Sequence, residues 1–372
     1  MSSQTPKPSL PDLFGVYIHW PYCLSKCPYC DFASVAGACK DEAALAARYR
    51  DELKNLPRRT ITSVFFGGGT PSLMSVDLVR ALLEQMAPRL APDVEITMEA
   101  NPDAIDAQKM RELKALGVNR LSLGVQSLVA DDLKRLGRRH SVQTALKRIE
   151  QAQRVFPRVN MDLIYARPGQ TAAAWADELR RAIQMGLTHY ALYQLTIEEN
   201  TPFGRQGVCP ADDETAREMY VMTDKMMSNA GVPAYEVSNY ARAGYECRHN
   251  RTYWLGADYA GVGPAACGRL GLKATQNPDS VAEWLCGKTL VTRLTSAERE
   301  TEKILMGLRL RQGGYPADEL NPAGVARAVR NRWARLRQNR VYPTLEGTLM
   351  LNQLVLTVLP PEDPARRTKR RG

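Results

Sequence analysis

Three cysteines, Cys23, Cys27 and Cys30, stand in a C-x3-C-x2-C spacing inside GVYIHWPYCLSKCPYCDF, directly after a short apolar run that reads as a first strand. Three thiolates this close on one loop can share one inorganic centre. Structural zinc takes four closed ligands, whereas a [4Fe–4S] cluster held by three cysteines leaves one iron open to an outside ligand. A zinc site completed by His19 or Cys39, or simply reduced thiols, are the alternatives. Cys39, Cys209, Cys247, Cys267 and Cys286 are isolated in the sequence and read as packed side chains.

The elements that must position these thiols follow from periodicity. GVYIHW, ITSVFF, DVEITME, NRLSLGV, VNMDLIYA and HYALYQLTI read as strands, with helical patterns such as EAALAARYRDEL, SVDLVRALLEQM, AIDAQKMRELKAL and TAAAWADELRRAIQMG between them. About six βα units therefore fit between residue 15 and roughly residue 200, giving an α/β fold with a partial or complete TIM-like (β/α) barrel. In such a barrel the working groups gather at the carboxyl ends of the strands. Gly67-Gly68-Gly69-Thr70-Pro71 ends the second strand, where glycines let backbone amides approach a ligand; Glu99 ends the third, Gln126 ends the fourth and Asp162 lies on the fifth. Polar residues at strand edges with no ligand are the bland alternative.

The expected organisation is a lead-in over 1–14, a barrel domain over 15–230, a loop-rich insert over 231–290, a smaller, mainly helical C-terminal domain over 291–359 and a basic tail over 360–372. GTLMLNQLVLTVL fits strand or helix equally. With 44% hydrophobic and 24% charged residues in 372, the chain is globular in composition. No apolar run reaches the length of a membrane helix and no leader precedes the first strand, so eight cysteines are expected reduced, in the cytoplasm. Formal net charge is +10, of which Arg366, Arg367, Lys369, Arg370 and Arg371 supply five, leaving +5 for residues 1–365. The arginines Arg327, Arg330, Arg332, Arg335, Arg337 and Arg340 lack aromatic platforms and are expected on a solvated helix face, with no specific nucleic-acid partner.

The cysteine triplet on the first strand's loop resembles the signature of the radical S-adenosylmethionine superfamily. In that family the open iron binds the amino and carboxylate groups of S-adenosylmethionine, and an electron from the cluster cleaves the sulfonium to a 5′-deoxyadenosyl radical. YIHWPYC, FFGGGTPS, EANPD, LSLGVQS, RRH, DLIYARPGQT and LYQLTIEENTPFG resemble the coproporphyrinogen-III-oxidase-like branch over roughly residues 15–270. The resemblance implies that Tyr17, Gly68, Gly69, Thr70, Glu99, Gln126, Arg139 and Asp162 contact S-adenosylmethionine, with Tyr29 beside the cluster.

The oxygen-independent oxidases of this branch carry a fourth motif cysteine two residues after the third; here that position is Phe32, which argues against decarboxylase activity. CDF and His249-Asn250-Arg251-Thr252-Tyr253-Trp254 resemble instead the HemW-type haem chaperones, whose H-N-x-x-Y-W motif is implicated in holding haem. An imidazole can ligate haem iron, flanking aromatics can cover a porphyrin face, and Arg248 or Arg251 can pair with propionates. A core histidine among packed aromatics is the alternative. Ala166, Arg167, Ala265 and Cys267 depart from the family pattern, the last two where the pocket would be. The implied partners are haem or porphyrin, haem-acceptor proteins and an electron donor for the cluster, with peripheral membrane contact open. Anaerobic oxidative decarboxylation of coproporphyrinogen III, and radical modification of RNA, are the competing functions.

Overall fold

A computed structural model describes residues 13–361, so nearly all of the expected lead-in and basic tail lies outside the described residues. Eleven strands form one sheet: β1 (Phe14–Trp20), β2 (Ile61–Gly68), β3 (Leu90–Ala100), β4 (Arg120–Gln126), β5 (Arg158–Tyr165), β6 (His189–Gln194), β7 (Asn239–Ala241), β8 (Asp258–Val262), β9 (Cys267–Leu270), β10 (Lys273–Gln276) and β11 (Leu290–Arg293). Their order is β11-β10-β9-β8-β1-β2-β3-β4-β5-β6-β7. The six expected strands β1 to β6 run parallel in sequence order, and the order ends on two free edges rather than closing. This is the partial form of the barrel.

The strands β1, β2 and β4 are buried almost without interruption, as parallel strands covered on both faces are. Helices Glu42–Lys54, Val76–Met86, Ala107–Ala115, Val142–Val155 and Ala172–Gln184 lie between them in sequence. Each starts where the side chain of Asp41, Ser75, Asp106, Ser141 or Thr171 accepts a hydrogen bond from a first-turn amide, which fixes where strand gives way to helix. Among the described residues no helix is long and apolar enough to cross a membrane.

Residues 231–290, read from sequence as loop-rich, contribute β7, β8, β9 and β10 to the sheet. β8 returns beside β1 in parallel, placing Tyr259 opposite Gly15 and Gly261 opposite Tyr17. These strands are four or five residues long at most and separated by Gly and Asn, so no periodicity announces them.

The described chain divides into two compact units, 13–233 with 238–253 and 257–294, and 234–237 with 254–256 and 295–361. The second unit is built on helices Ser296–Gly307, Pro322–Arg330 and Leu351–Val358, together with a three-stranded sheet of β12 (Tyr315–Pro316), β13 (Ala334–Arg337) and β14 (Arg340–Pro343). Its core packs Ile304, Leu308, Val325, Ala328, Val341 and Leu354. The ambiguous GTLMLNQLVLTVL is helical.

In the first unit, Glu95 on β3 is buried with its carboxylate fully engaged. It accepts from Arg120 Nε at 3.0 Å, from Arg158 Nη1 at 3.2 Å, from the backbone N–H of Arg248 at 2.7 Å and from Cys247 Sγ at 3.4 Å. Burial alone would raise its pKa, but Arg120 and then Arg158 hold it below the ordinary carboxylate value. Removing one partner leaves a buried charge short of compensation, which costs about 3–5 kcal/mol. Arg120→Met is therefore expected to lower the free energy of urea unfolding by that amount; a loss under about 1 kcal/mol would show that the Glu95 pairing does not organise the sheet.

Candidate functional site

The cysteine loop leaves β1 at its carboxyl end and is pinned to its surroundings by backbone hydrogen bonds. Tyr22–Cys23 and Val35–Ala36 form a short parallel ladder, flanked by Val35 N–H donating to Pro21 O at 2.7 Å and Gly37 N–H to Cys23 O at 2.9 Å. Phe203 N–H reaches Pro28 O at 2.9 Å from the turn after β6. Within the loop Cys30 N–H donates to Cys27 O at 3.1 Å.

Gly67-Gly68-Gly69-Thr70 ends β2 directly against this loop. Gly69 N–H donates to Trp20 O at 2.7 Å and Thr70 N–H to Tyr22 O at 2.9 Å. Gly68 has φ +112°, and a Cβ there would stand 2.7 Å from Trp20 O; a Cβ on Gly69 would meet Tyr22 O at 2.7 Å and Cys23 Sγ at 3.0 Å. The glycines are required first by the approach of the cysteine loop itself.

All eight cysteines are free. Burial, then the neighbouring Cys27 and Cys23, push the Cys30 thiol up. Arg138 Nη1 already stands 3.4 Å from Cys27 Sγ. Among the described residues no group of three or more His, Cys, Asp or Glu side chains is placed to hold a metal ion. A four-iron cluster takes each thiolate on its own iron, so its ligands spread wider than those of one ion. The two zinc-completing candidates are occupied: His19 bonds Tyr17 OH through Nδ1 at 3.0 Å and Ala33 O through Nε2 at 2.9 Å, and Cys39 bonds Tyr22. The loop therefore fits a three-thiolate cluster better than zinc.

Inside the strands lies a cavity of about 200 Å³ whose lining includes Glu99, Asp162, Ser122, Asn160, His189 and Thr97. Glu99, next to last on β3, accepts from Gly68 N–H at 3.2 Å. Burial and then the charge of Asp162 push its pKa up to about 8. Burial pushes Asp162 up to about 7, against the hydrogen bonds it accepts from Ser122 and Asn160. His189 bonds Asn160 in turn, its pKa held well below the ordinary value by burial and then Arg120. The site thus offers two half-buried carboxyls whose pKa values are raised to about 8 and about 7, so that a cationic ligand would draw them into the ionised form. Gln126 closes β4 with φ +69° beside a register shift at Gly124.

The structure separates the two neighbouring arginines. Arg138, the competing neighbour of Arg139 in the RRH motif, is half-buried, touches Cys27 Sγ, and donates to Gly124 O at 2.8 Å and to the side-chain oxygen of Asn101. Arg139, the expected S-adenosylmethionine contact, has a side chain 55% exposed and lies 3.6 Å from Asp103. Asn101 Nδ2 donates to Thr70 Oγ1 at 3.0 Å, so Asn101 joins the glycine segment to Arg138. Tyr29 is half-buried beside Cys27, its phenol pushed up by desolvation. Tyr17 is half-buried with its ring against Phe65.

His249 opens the helix Arg248–Trp254 and is buried. Its Nδ1 is 3.0 Å from Ser63 Oγ, its Nε2 is 2.7 Å from Tyr253 OH, and it stacks on Phe65 at 5.1 Å. Burial pushes its pKa down to about 3, so the ring is neutral. Ser63 lies near the start of β2, so the ring stands toward the strands' amino ends, away from the Gly67–Gly69 end. Arg167 is buried and paired with Glu178, which also accepts from Leu128 N–H at 2.7 Å; Ala166 and Ala265 take φ +58° and +59°, and Cys267 is exposed.

A loop of three thiols at the carboxyl end of β1, a glycine edge on β2 and buried polar groups on β3 to β5 define the radical S-adenosylmethionine class of barrel, and residues 17–182 match the Radical SAM superfamily. The chain is 36% identical over 378 residues, 95% of its own length and 96% of its relative's, to the heme chaperone HemW of Mycobacterium tuberculosis (strain CDC 1551 / Oshkosh). It is 40% identical to the heme chaperone HemW of Escherichia coli (strain K12) over 71% of this chain and 72% of that one. Against the mitochondrial radical S-adenosyl methionine domain-containing protein 1 of Bos taurus identity is 44%, over 68% of this chain and 60% of the relative. The chain belongs to the HemW family. The solved structure of coproporphyrinogen III oxidase (HemN) from Escherichia coli, a radical SAM enzyme, shares the fold at TM-score 0.79 and 18% identity, covering 94% of this chain and 90% of that one.

Glu99 and Asp162 link this site to stability. Their folded pKa values of about 8 and about 7 exceed the ordinary 4.5 and 3.8, so between those values the folded state holds more protons than the unfolded. Their contribution is complete below about pH 4 and is lost as pH rises through 7 and 8. The denaturant midpoint of the unliganded protein should fall over that range and flatten in Glu99→Gln/Asp162→Asn; an unchanged slope in the double variant would refute the assignment.

Proposed function

We propose that this protein binds haem and transfers it to acceptor proteins in the cytoplasm, carrying a [4Fe–4S] cluster on Cys23, Cys27 and Cys30 and S-adenosylmethionine in the barrel. The observation that carries this reading is 36% identity to a heme chaperone along 95% of the chain. Phe32 supports it: it is 61% exposed and puts a phenyl ring where the related oxidases have a fourth cysteine.

When bound, the cluster supplies an electron to S-adenosylmethionine. Gly68 and Gly69 would present backbone without side chains to it, Thr70 would add a backbone amide, and Glu99 and Asp162 would hold its cationic groups in their ionised form. Gln126, Tyr17 and Tyr29 are further contacts in this reading. Arg138, half-buried and against Cys27, is the better candidate than the exposed Arg139 for its carboxylate. His249 is the haem ligand in this reading: the neutral ring is the ligating form, and Ser63 or Tyr253 gives up its hydrogen bond. The acceptor proteins and the donor that reduces the cluster are further partners of the same proposal.

An anaerobic haem titration of cluster-reconstituted protein, read by absorbance, tests it. The wild type should bind haem stoichiometrically, and His249→Ala should bind more weakly or with a shifted ligation spectrum. Failure of both to bind, with vinyl product appearing from coproporphyrinogen III under the same conditions, would replace the chaperone reading with the decarboxylase.

A further inference from the structure

The arginines expected on one helix face occupy two different elements. Arg327 and Arg330 end the helix Pro322–Arg330, while Arg335, Arg337 and Arg340 lie on the hairpin of β13 and β14. The second unit runs helix (Ser296–Gly307), β12, helix (Pro322–Arg330), β13, β14, and its sheet is ordered β12-β14-β13. The hairpin of β13 and β14 follows the helix Pro322–Arg330 directly, and Trp333 N–H donates to Ala328 O at 2.9 Å, so the two elements adjoin.

The helix has two distinct faces. Gly324, Val325 and Ala328 are buried, and a Cβ on Gly324 would stand 2.0 Å from Thr357 O, so this face is locked onto the helix Leu351–Val358. Pro322, Ala323, Ala326, Arg327, Val329 and Arg330 are exposed, so the solvent side of the helix is small at its start and carries two cations around one valine at its end. In the hairpin, Gln338 and Asn339 take φ +48° and +56°, the tight turn that sends β14 straight back along β13. Arg340 is committed to Gly314 O at 2.7 Å. Arg327, Arg330, Arg332, Arg335 and Arg337 are exposed and take no ion pair among the described residues. From Leu320 to Leu345 the sequence holds six arginines and no Asp or Glu.

We propose that this C-terminal unit binds the phosphate backbone of duplex DNA through Arg327, Arg330, Arg332, Arg335 and Arg337, with the Ala323–Ala326 face of the helix turned to the major groove. Five unpaired guanidinium groups on two adjoining elements, with no acid among them, complement a line of phosphates. The B-form major groove is about 12 Å wide and admits a helix, whereas the deep, narrow major groove of duplex RNA does not, which selects DNA over RNA. The arginines face phosphates that recur at every step of the duplex, so the affinity this surface supplies is largely independent of sequence.

The test is fluorescence anisotropy of the full chain with a labelled mixed-sequence 20-base-pair DNA, the matching RNA duplex, and vesicles containing phosphatidylserine. DNA should bind with an affinity that falls steeply with salt, by a log–log slope of about −0.9 per phosphate contacted. Arg327→Ala/Arg330→Ala/Arg335→Ala/Arg337→Ala should weaken DNA binding at least tenfold and flatten that slope, while its haem titration matches the wild type. Truncation after Pro361 should leave most of the arginine-dependent affinity in place. The proposal is overturned if the quadruple variant binds DNA as the wild type does, if truncation alone abolishes binding, if the RNA duplex binds as tightly, or if the vesicles bind more tightly with the same arginine dependence, which would make the surface a membrane face.

Discussion

The Glu95 carboxylate is the constraint on which the rest of the larger unit turns. It sits on β3, is bonded by arginines from β4 and β5, and takes the first amide of the helix that carries His249. One buried charge therefore couples three central strands to the segment that returns after residue 238, and its cost in burial is offset only while all the partners are in place. The mutual position of the cavity, the buried histidines and β8 follows from that arrangement.

At the opposite, carboxyl end of the strands, the organising element is backbone rather than charge. The glycine edge of β2 receives two carbonyls of the cysteine loop at distances no side chain would permit. Asn101 and Arg138 then tie that edge to Cys27. A substitution in the glycine segment would displace thiols before it disturbed any ligand.

The sequence made legible what local periodicity encodes: six parallel strands, their helices, the thiol triplet and polar residues at the strand ends. It did not encode lateral neighbours. Ser122 and Asn160 bond Asp162 and His189 bonds Asn160, a set drawn from β4, β5 and β6 that exists only when register is known. Asn160 lies two residues before Asp162, so a period of two on one strand was the available signal. Which of Arg138 and Arg139 turns inward depends on the turn after the short helix Ala130–Arg135, where Gly137 takes φ +67° against Pro28. In Ala334-Arg335-Leu336-Arg337 the alternation of apolar and cationic residues is a strand signal only four residues long, too short to stand apart from the helical run of arginines before it.

The double hydrogen bonding of His249 has a kinetic meaning. A ring that is 1% exposed, with both nitrogens engaged, cannot meet a ligand by diffusion alone. On the proposed reading, capture and release through it would require the helix Arg248–Trp254 to loosen from Glu95, a local opening shared by both directions. Such a gate would lengthen the residence time of the bound group and make its handover depend on a partner that opens the helix rather than on one that merely competes for it.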